Sequence, residues 1–290
     1  MANSPTHKFG QIIGEALEVK MHSEIEKVAD LHQIFIDTPG PRAARKGKKI
    51  SWKDNYGNSH DLDLVLEKDG SDTFIGTPLA FIECAWRRYT KHSKNKVQEI
   101  QGAVLPIVEK HSLSAPFFGA ILAGEFTQNS LNQLTSLGFR VLYFPYASLV
   151  KAFSEFGLSM HWEEDTNHGA VEKMIADWEN TSHKHEIMQR IVDLNQVQVN
   201  VFLSDLTRAI ERHVTEISLL PLYGQRKSFH LAKDAITFLR QIQTQSQNNA
   251  LQKIEVTISF SNSDSISASF KRPEDAGQFL EQHTYSVPTA

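Results

Sequence analysis

The chain of 290 residues holds one cysteine, Cys84, so no intrachain disulfide can staple it. It has no run of 18 apolar residues, so no membrane-spanning helix is expected. Its first residues, Met-Ala-Asn-Ser-Pro-Thr-His-Lys, lack the apolar stretch of a secretory signal. A reducing, cytoplasmic compartment is the expectation, with no membrane partner. An excess of one charge is lacking too: 30 Lys+Arg against 34 Asp+Glu gives −4. Bulk composition is therefore not that of a strongly basic nucleic-acid binder. Gly10 and Gly14 make no phosphate loop, because no strand precedes them and no Gly-Lys-Ser/Thr follows. No repeat of fixed period is visible. What remains is ordinary globular material, 40% apolar and 22% charged, long enough for one or two domains.

The balanced total hides an asymmetry. Residues 42–96 carry 12 Lys+Arg against 7 Asp+Glu, whereas residues 161–290 carry 12 against 17. A local cluster of cations can steer a polyanion even on an acidic chain. A solvated basic loop would look the same in the sequence.

Periodicity orders the first half. Residues 8–32 predict an amphipathic helix, with Phe9, Ile12, Ile13, Ala16, Leu17, Met21, Ile25, Val28 and Ala29 at spacings of three and four. A short strand over 33–37 leads to Thr38-Pro39-Gly40-Pro41, which cannot continue a helix or a central strand. An exposed loop with Arg42, Arg45, Lys46, Lys48 and Lys49 is expected next. Three strand-like runs follow at 49–54, 60–67 and 79–85, separated by turn residues, and they predict an antiparallel meander. Then the period changes: helix 92–110, strand 117–123, helix 127–137 closed by Gly138, strand 139–144, helix 146–156. This order implies a sheet that is part antiparallel and part parallel. The second half predicts helices over 168–194, 197–217 and 229–245, a Gln/Asn/Ser-rich linker over 241–249, a β-hairpin over 252–271 and a closing helix from Pro273. A soft boundary near 160–167 separates a domain over 1–160 from a mainly helical region over 161–290 that ends in the hairpin and helix.

The residues that point to chemistry are Asp63 and Glu83. They lie on neighbouring strands joined by a hairpin turn, in otherwise apolar surroundings where an unpaired carboxylate is costly. A hard divalent cation would remove that cost, and Mg²⁺ is commonly held by one or two carboxylates plus phosphate oxygens. Two solvated strand acids are the plain alternative. Directly after Glu83 the chain reads Cys-Ala-Trp-Arg-Arg-Tyr-Thr-Lys-His-Ser-Lys-Asn-Lys, which sets Arg87, Arg88, Lys91, Lys94 and Lys96 beside the acids. Arginine and lysine placed there can hold phosphates. Glu125 reads as a cap for the next helix. Cys84 points away from Glu83 by strand alternation and reads as core rather than as a nucleophile. His60-Asp61 lies in a strand and His183-Lys184-His185 on a helix face, and neither makes a metal site.

The element order, together with Asp63 and Ile82-Glu83-Cys84-Ala85, resembles the PD-(D/E)XK nuclease superfamily, the fold of most type II restriction endonucleases. The resemblance covers about residues 8–146. It implies a restriction-endonuclease-like α/β fold, a mixed sheet flanked by helices. It also implies a Mg²⁺-dependent endonuclease acting on double-stranded DNA. Asp63 and Glu83 would hold the metal, with the first-helix acid falling on Glu15 or Glu18. A homodimer and a cognate DNA methyltransferase acting on the same site are implied partners. Arg42, Arg45, Lys46, Lys48, Lys49, Arg87, Arg88 and Lys96 would grip the DNA, and the C-terminal region would add DNA contacts or a dimer surface. One departure stands out: the family's lysine, two residues after the Glu, is Ala85 here. Lys91 and Lys94 are the expected substitutes, ahead of Lys96, and Gln98 could also line the site. A catalytically inactive member of the same fold, binding DNA or protein, is the alternative that Ala85 keeps open.

Overall fold

A computed structural model describes residues 4–222, 224–245 and 253–284. The first helix, α1 (Pro5–Leu31), starts where its cap allows: Ser4 is extended, its Oγ accepts the His7 N–H at 3.3 Å, and Pro5 follows. The expected stripe is the buried one, with Phe9, Ile13, Leu17, Met21, Ile25 and Ala29 nearly or wholly out of solvent. Each of the larger side chains contributes about 1.5–3 kcal/mol by that burial. Then come β1 (Phe35–Asp37), β2 (Ile50–Lys53), β3 (Ser59–Leu62), β4 (Leu64–Lys68), β5 (Thr77–Arg87), α2 (Ser93–Lys110), β6 (Phe117–Gly124), α3 (Gln128–Ser136), β7 (Arg140–Pro145) and α4 (Tyr146–Glu155).

The central sheet has the order β1-β4-β5-β6-β7. Its β1/β4 and β4/β5 pairs are antiparallel, and its β5/β6 and β6/β7 pairs are parallel. The mixed α/β sheet read from the sequence is therefore present. One face packs Val65, Phe81, Ala120 and Leu122 against Val97, Ile100, Val104 and Ile107 of α2 and Leu134 of α3. Helices α1 and α4 pack on the sheet as well. Gly138 ends α3 at φ +92°, a conformation that costs glycine little, and its N–H bonds to Thr135 O. Thr127 caps this helix by accepting the Ser130 N–H, so Glu125 does not serve as the cap.

The meander forms differently from the expected one. The run 60–67 is broken at Asp63: β3 pairs with β2 in a separate hairpin, while β4 joins the main sheet. The expected 168–194 helix is also two, α5 (His168–Asn180) and α6 (Lys184–Leu194). Extended Thr181 stops the first, and its Oγ accepts the His183 N–H.

Two compact units divide the chain. The first comprises residues 1–109 and 117–207, the second 110–116 and 208–290. The expected boundary at 160–167 is not where the division falls. Helices α5, α6 and most of α7 (Gln196–Ile210) belong to the first unit, because α5 and α6 pack on α1 and Phe202 of α7 meets Phe117 edge-on. The second unit is not mainly helical. It contains β8 (Val214–Pro221), β9 (Lys227–Phe229), α8 (Ala232–Gln245), β10 (Ile254–Phe260), β11 (Ser265–Phe270) and α9 (Pro273–Thr284). The strands form an antiparallel sheet of order β11-β10-β8-β9. The helix expected to run through 214–217 gives way to a strand: β-branched Val214 and Ile217 pair with β10, across an irregularity at Thr215. The expected terminal hairpin and helix are present. Residues 241–245 finish α8 rather than opening a linker, and 246–249 lie outside the described residues. Among the described residues no helix is long and apolar enough to cross a membrane.

Candidate active site

A change of strand partner builds the site. Leu62 and Leu64 are both buried, but Leu62 pairs with β2 and Leu64 with β5, so the chain bends at Asp63 between them. The register Leu64↔Ile82 is the last antiparallel pair, and it sets Asp63 beside Glu83. Beyond it β5 runs on to Arg87 with β6 as its partner. The acids thus stand where the antiparallel and parallel parts of the sheet separate, with Glu83 midway along β5 and level with Ala120 of β6. Asp63 Oδ2 accepts the Cys84 N–H at 2.8 Å, which fixes the carboxylate across the gap.

Electrostatics at this point is unfavourable for the protein alone. Glu83 is 6% exposed, and its Oε1 is buried without a hydrogen-bond partner among the described residues. Burial first, and then the Asp63 charge, push its carboxyl up to about 8. Glu18 on α1 is pushed up to about 7 by burial, Asp63 and Glu15. Asp63 is raised by burial, although the Cys84 N–H and Lys96 act against that. Asp63 and Glu18 thus oppose the ionisation of Glu83, Asp63 opposes that of Glu18, and Lys96 favours ionisation at both Asp63 and Glu83. The Cys84 thiol is raised by desolvation and by these acids, which suits a residue that is not a nucleophile.

The cations expected at the site sort differently from their order in the sequence. Lys91 is exposed and ion-paired to Glu164, and Lys94 is exposed. Lys96, on the first turn of α2, has a side chain only 20% exposed and lines the same cavity as Glu18. The expected preference for Lys91 and Lys94 is thus reversed, because the helical turn carries position 96 toward the acids. Gln98 is exposed and does not line the cavity. Glu15 is exposed, and Glu18 is the first-helix acid that couples directly to Asp63.

Two of the loop cations hold the fold. The Arg42 guanidinium is 3% exposed and binds Glu67 through two hydrogen bonds of 2.7 and 2.8 Å, with Asp37 at 2.8 Å. It also donates to the Ser71 and Phe74 carbonyls. Arg45 is nearly buried, binding Asp37 and the carbonyls of Thr38, Gly47 and Lys49. Neither is an exposed phosphate contact: buried Asp37 and Glu67 claim them, a pairing across the β1–β4 sheet edge that loop composition does not reveal. Lys46, Lys48 and Lys49 are exposed, and Lys49 pairs with Asp61 at 2.6 Å. Arg88 is also engaged, stacked 4.0 Å over Tyr146 and bonded to Trp162 O and Glu163. Arg87 stays a third exposed at the cavity, near Glu99.

That cavity, about 660 Å³, lies along α1 and the end of β5. Gly10 and Gly14 let Trp86 approach the helix: a Cβ on Gly10 would stand 2.9 Å from the Trp86 ring nitrogen. Trp86, Tyr89 and Trp162 also line it. Nothing local in the sequence ties Trp162 to Asp63; the nearest aromatic signal is Trp86 and Tyr89, which flank Arg87 and Arg88 just after Glu83.

Among the described residues no three His, Cys, Asp or Glu side chains converge tightly enough to hold a metal ion by themselves. No protein-family model matches the chain, and no curated protein matches it. Among solved structures, the chain is similar to one titled "Crystal Structure of Protein of Unknown Function AF1548". The identity is 12%, covering 67% of this chain and 97% of that one, and the TM-score of 0.29 carries no argument.

Proposed function

We propose that the chain is a PD-(D/E)XK-type, Mg²⁺-dependent endonuclease of double-stranded DNA, of the type II restriction class. The observation that carries the reading is the pair of half-buried Asp63 and buried Glu83, set side by side where β4 parts from β5, with an unsatisfied Glu83 oxygen and one neighbouring lysine. The element order supports it as well: a helix bearing Glu18, an antiparallel pair with Asp63 just before the start of one strand and Glu83 on the other, then a helix and parallel strands.

The donors fit a hard cation. They are all oxygens, they are crowded with like charge, and one buried oxygen lacks a partner. Asp63 and Glu83 would hold Mg²⁺, with phosphate oxygens and water completing its shell; an ion bound by two carboxylates needs no all-protein cage. Bound there, the ion would polarise a phosphate and acidify water. Asp63 is held in place by the Cys84 N–H. Lys96 offers the ammonium that Ala85 cannot, from α2 instead of β5, and would orient the attacking water or donate to the phosphate. Arg87, Lys46 and Lys48 are exposed enough to take backbone phosphates. A homodimer and a methyltransferase of the same specificity belong to this reading.

The deciding experiment is incubation with mixed plasmid DNA and Mg²⁺. Discrete fragments from the wild type, absent with Asp63→Asn, support the reading. Intact DNA under all conditions favours the catalytically inactive alternative that Ala85 suggests.

A further inference from the structure

The cavity beside the acids has an end that the proposed phosphodiester chemistry does not use. It is aromatic: Trp86 and Tyr89 are partly exposed there, and Trp162 closes it. Trp162 is 1% exposed, yet its indole N–H has no hydrogen-bond partner among the described residues. A buried donor without an acceptor is costly. The ring is nevertheless fixed, against Phe9 at 5.1 Å, Tyr146 at 5.9 Å and Trp86 at 6.3 Å. Its backbone is fixed too, since its carbonyl accepts from Arg88 and its N–H donates to the Tyr146 hydroxyl. An acceptor supplied by a bound molecule would satisfy the indole.

The rest of the lining narrows the chemistry. Rings on the wall suit a flat π-system, and Arg87 beside them suits an attached phosphate. A volume of about 660 Å³ lies in the range of small-ligand sites. Every nucleobase is flat and presents ring-nitrogen or carbonyl acceptors at its edge. We infer that this end of the cavity binds one unpaired nucleobase of the nucleic-acid substrate, with the Trp162 N–H donating to its edge and Trp86 or Tyr89 against its face. The inference rests on the nuclease reading for its substrate class. A base stacked inside a duplex cannot enter, so the preferred substrate carries a single-stranded, terminal or flipped-out nucleotide.

The test keeps binding apart from cleavage. Short single-stranded DNA and an abasic strand of equal length are titrated against the full chain in chelator, by fluorescence anisotropy. The base-bearing strand is expected to bind about 5- to 150-fold tighter, the factor that one base–aromatic stack supplies. Trp162→Phe, which keeps a ring but loses the donor, is expected to reduce that preference. Tyr89→Ala at the rim is the second variant if Trp162→Phe does not fold. Equal affinity for the two strands overturns the inference, as does full preference retained in both folded variants. Base-dependent binding by a protein that cleaves no DNA in Mg²⁺ supports the base site and overturns only the nuclease reading.

Discussion

Replacing Glu83 by glutamine should stabilise the metal-free protein above neutral pH, and the structure sets the size. Below pH 4.5 the Glu83 carboxyl is protonated in both folded and unfolded chains. Between 4.5 and about 8 only the folded chain keeps the proton. The unfolded chain then binds fewer protons, so stability falls as pH rises through this window, and the contribution of the protonated carboxyl is fully lost above it. At ~1.4 kcal/mol per pH unit, that window caps the loss from Glu83 at roughly 5 kcal/mol. Glutamine is isosteric and does not titrate. Wild type and Glu83→Gln should therefore agree near pH 5 and diverge by roughly 2–5 kcal/mol at pH 8.5 in chelator. Urea unfolding followed by tryptophan fluorescence reads the right unit, because all four tryptophans, at 52, 86, 162 and 178, lie in the first. Mg²⁺ at 100 times its Kd should then return about 2.7 kcal/mol to the wild type and little to the variant. Parallel stability–pH profiles for the two proteins would refute the argument that Glu83 is held ionised at a cost.

Four further outcomes are expected. Asp63→Asn should abolish Mg²⁺-dependent plasmid cleavage while leaving the circular-dichroism spectrum unchanged; wild-type cleavage by this variant would remove Asp63 from the site. Lys96→Met should slow single-turnover cleavage by about 10²–10⁴-fold with DNA affinity nearly kept, whereas Lys91→Met and Lys94→Met should leave the rate within a small factor. Arg42→Met should cost about 3–5 kcal/mol in urea unfolding, since it strands buried Glu67 and Asp37; a cost under about 1 kcal/mol would contradict the buried pairing. Lys46→Gln with Lys48→Gln should flatten the salt dependence of DNA binding by about two in log–log slope, and an unchanged slope would mean a merely solvated loop.

Much of this molecule is written locally. The apolar stripe of α1, the Ser4-Pro5 cap, Gly138 and the start of α9 at Pro273 each act over a few residues, so a sequence shows them directly. The adjacency of Asp63 and Glu83 was legible from the hairpin connection of β4 to β5, but the break at Asp63 between two strand partners was not. Where the chain must choose among distant partners, the sequence is silent. Arg42 and Lys46 sit in one basic loop, yet burial of Glu67 on β4 makes the first a structural ion pair and leaves the second in solvent. Lys91, Lys94 and Lys96 differ only by position on one segment, and the start of α2 decides which faces the acids. Helices α5 and α6 join the first unit because their apolar faces fit α1, not because any linker marks a boundary. Trp162 reaches the cavity the same way, through packing on Phe9 and Tyr146. Periodicity specifies which face of an element is apolar, but only the packed tertiary structure specifies which other face meets it, and with it which charges are buried.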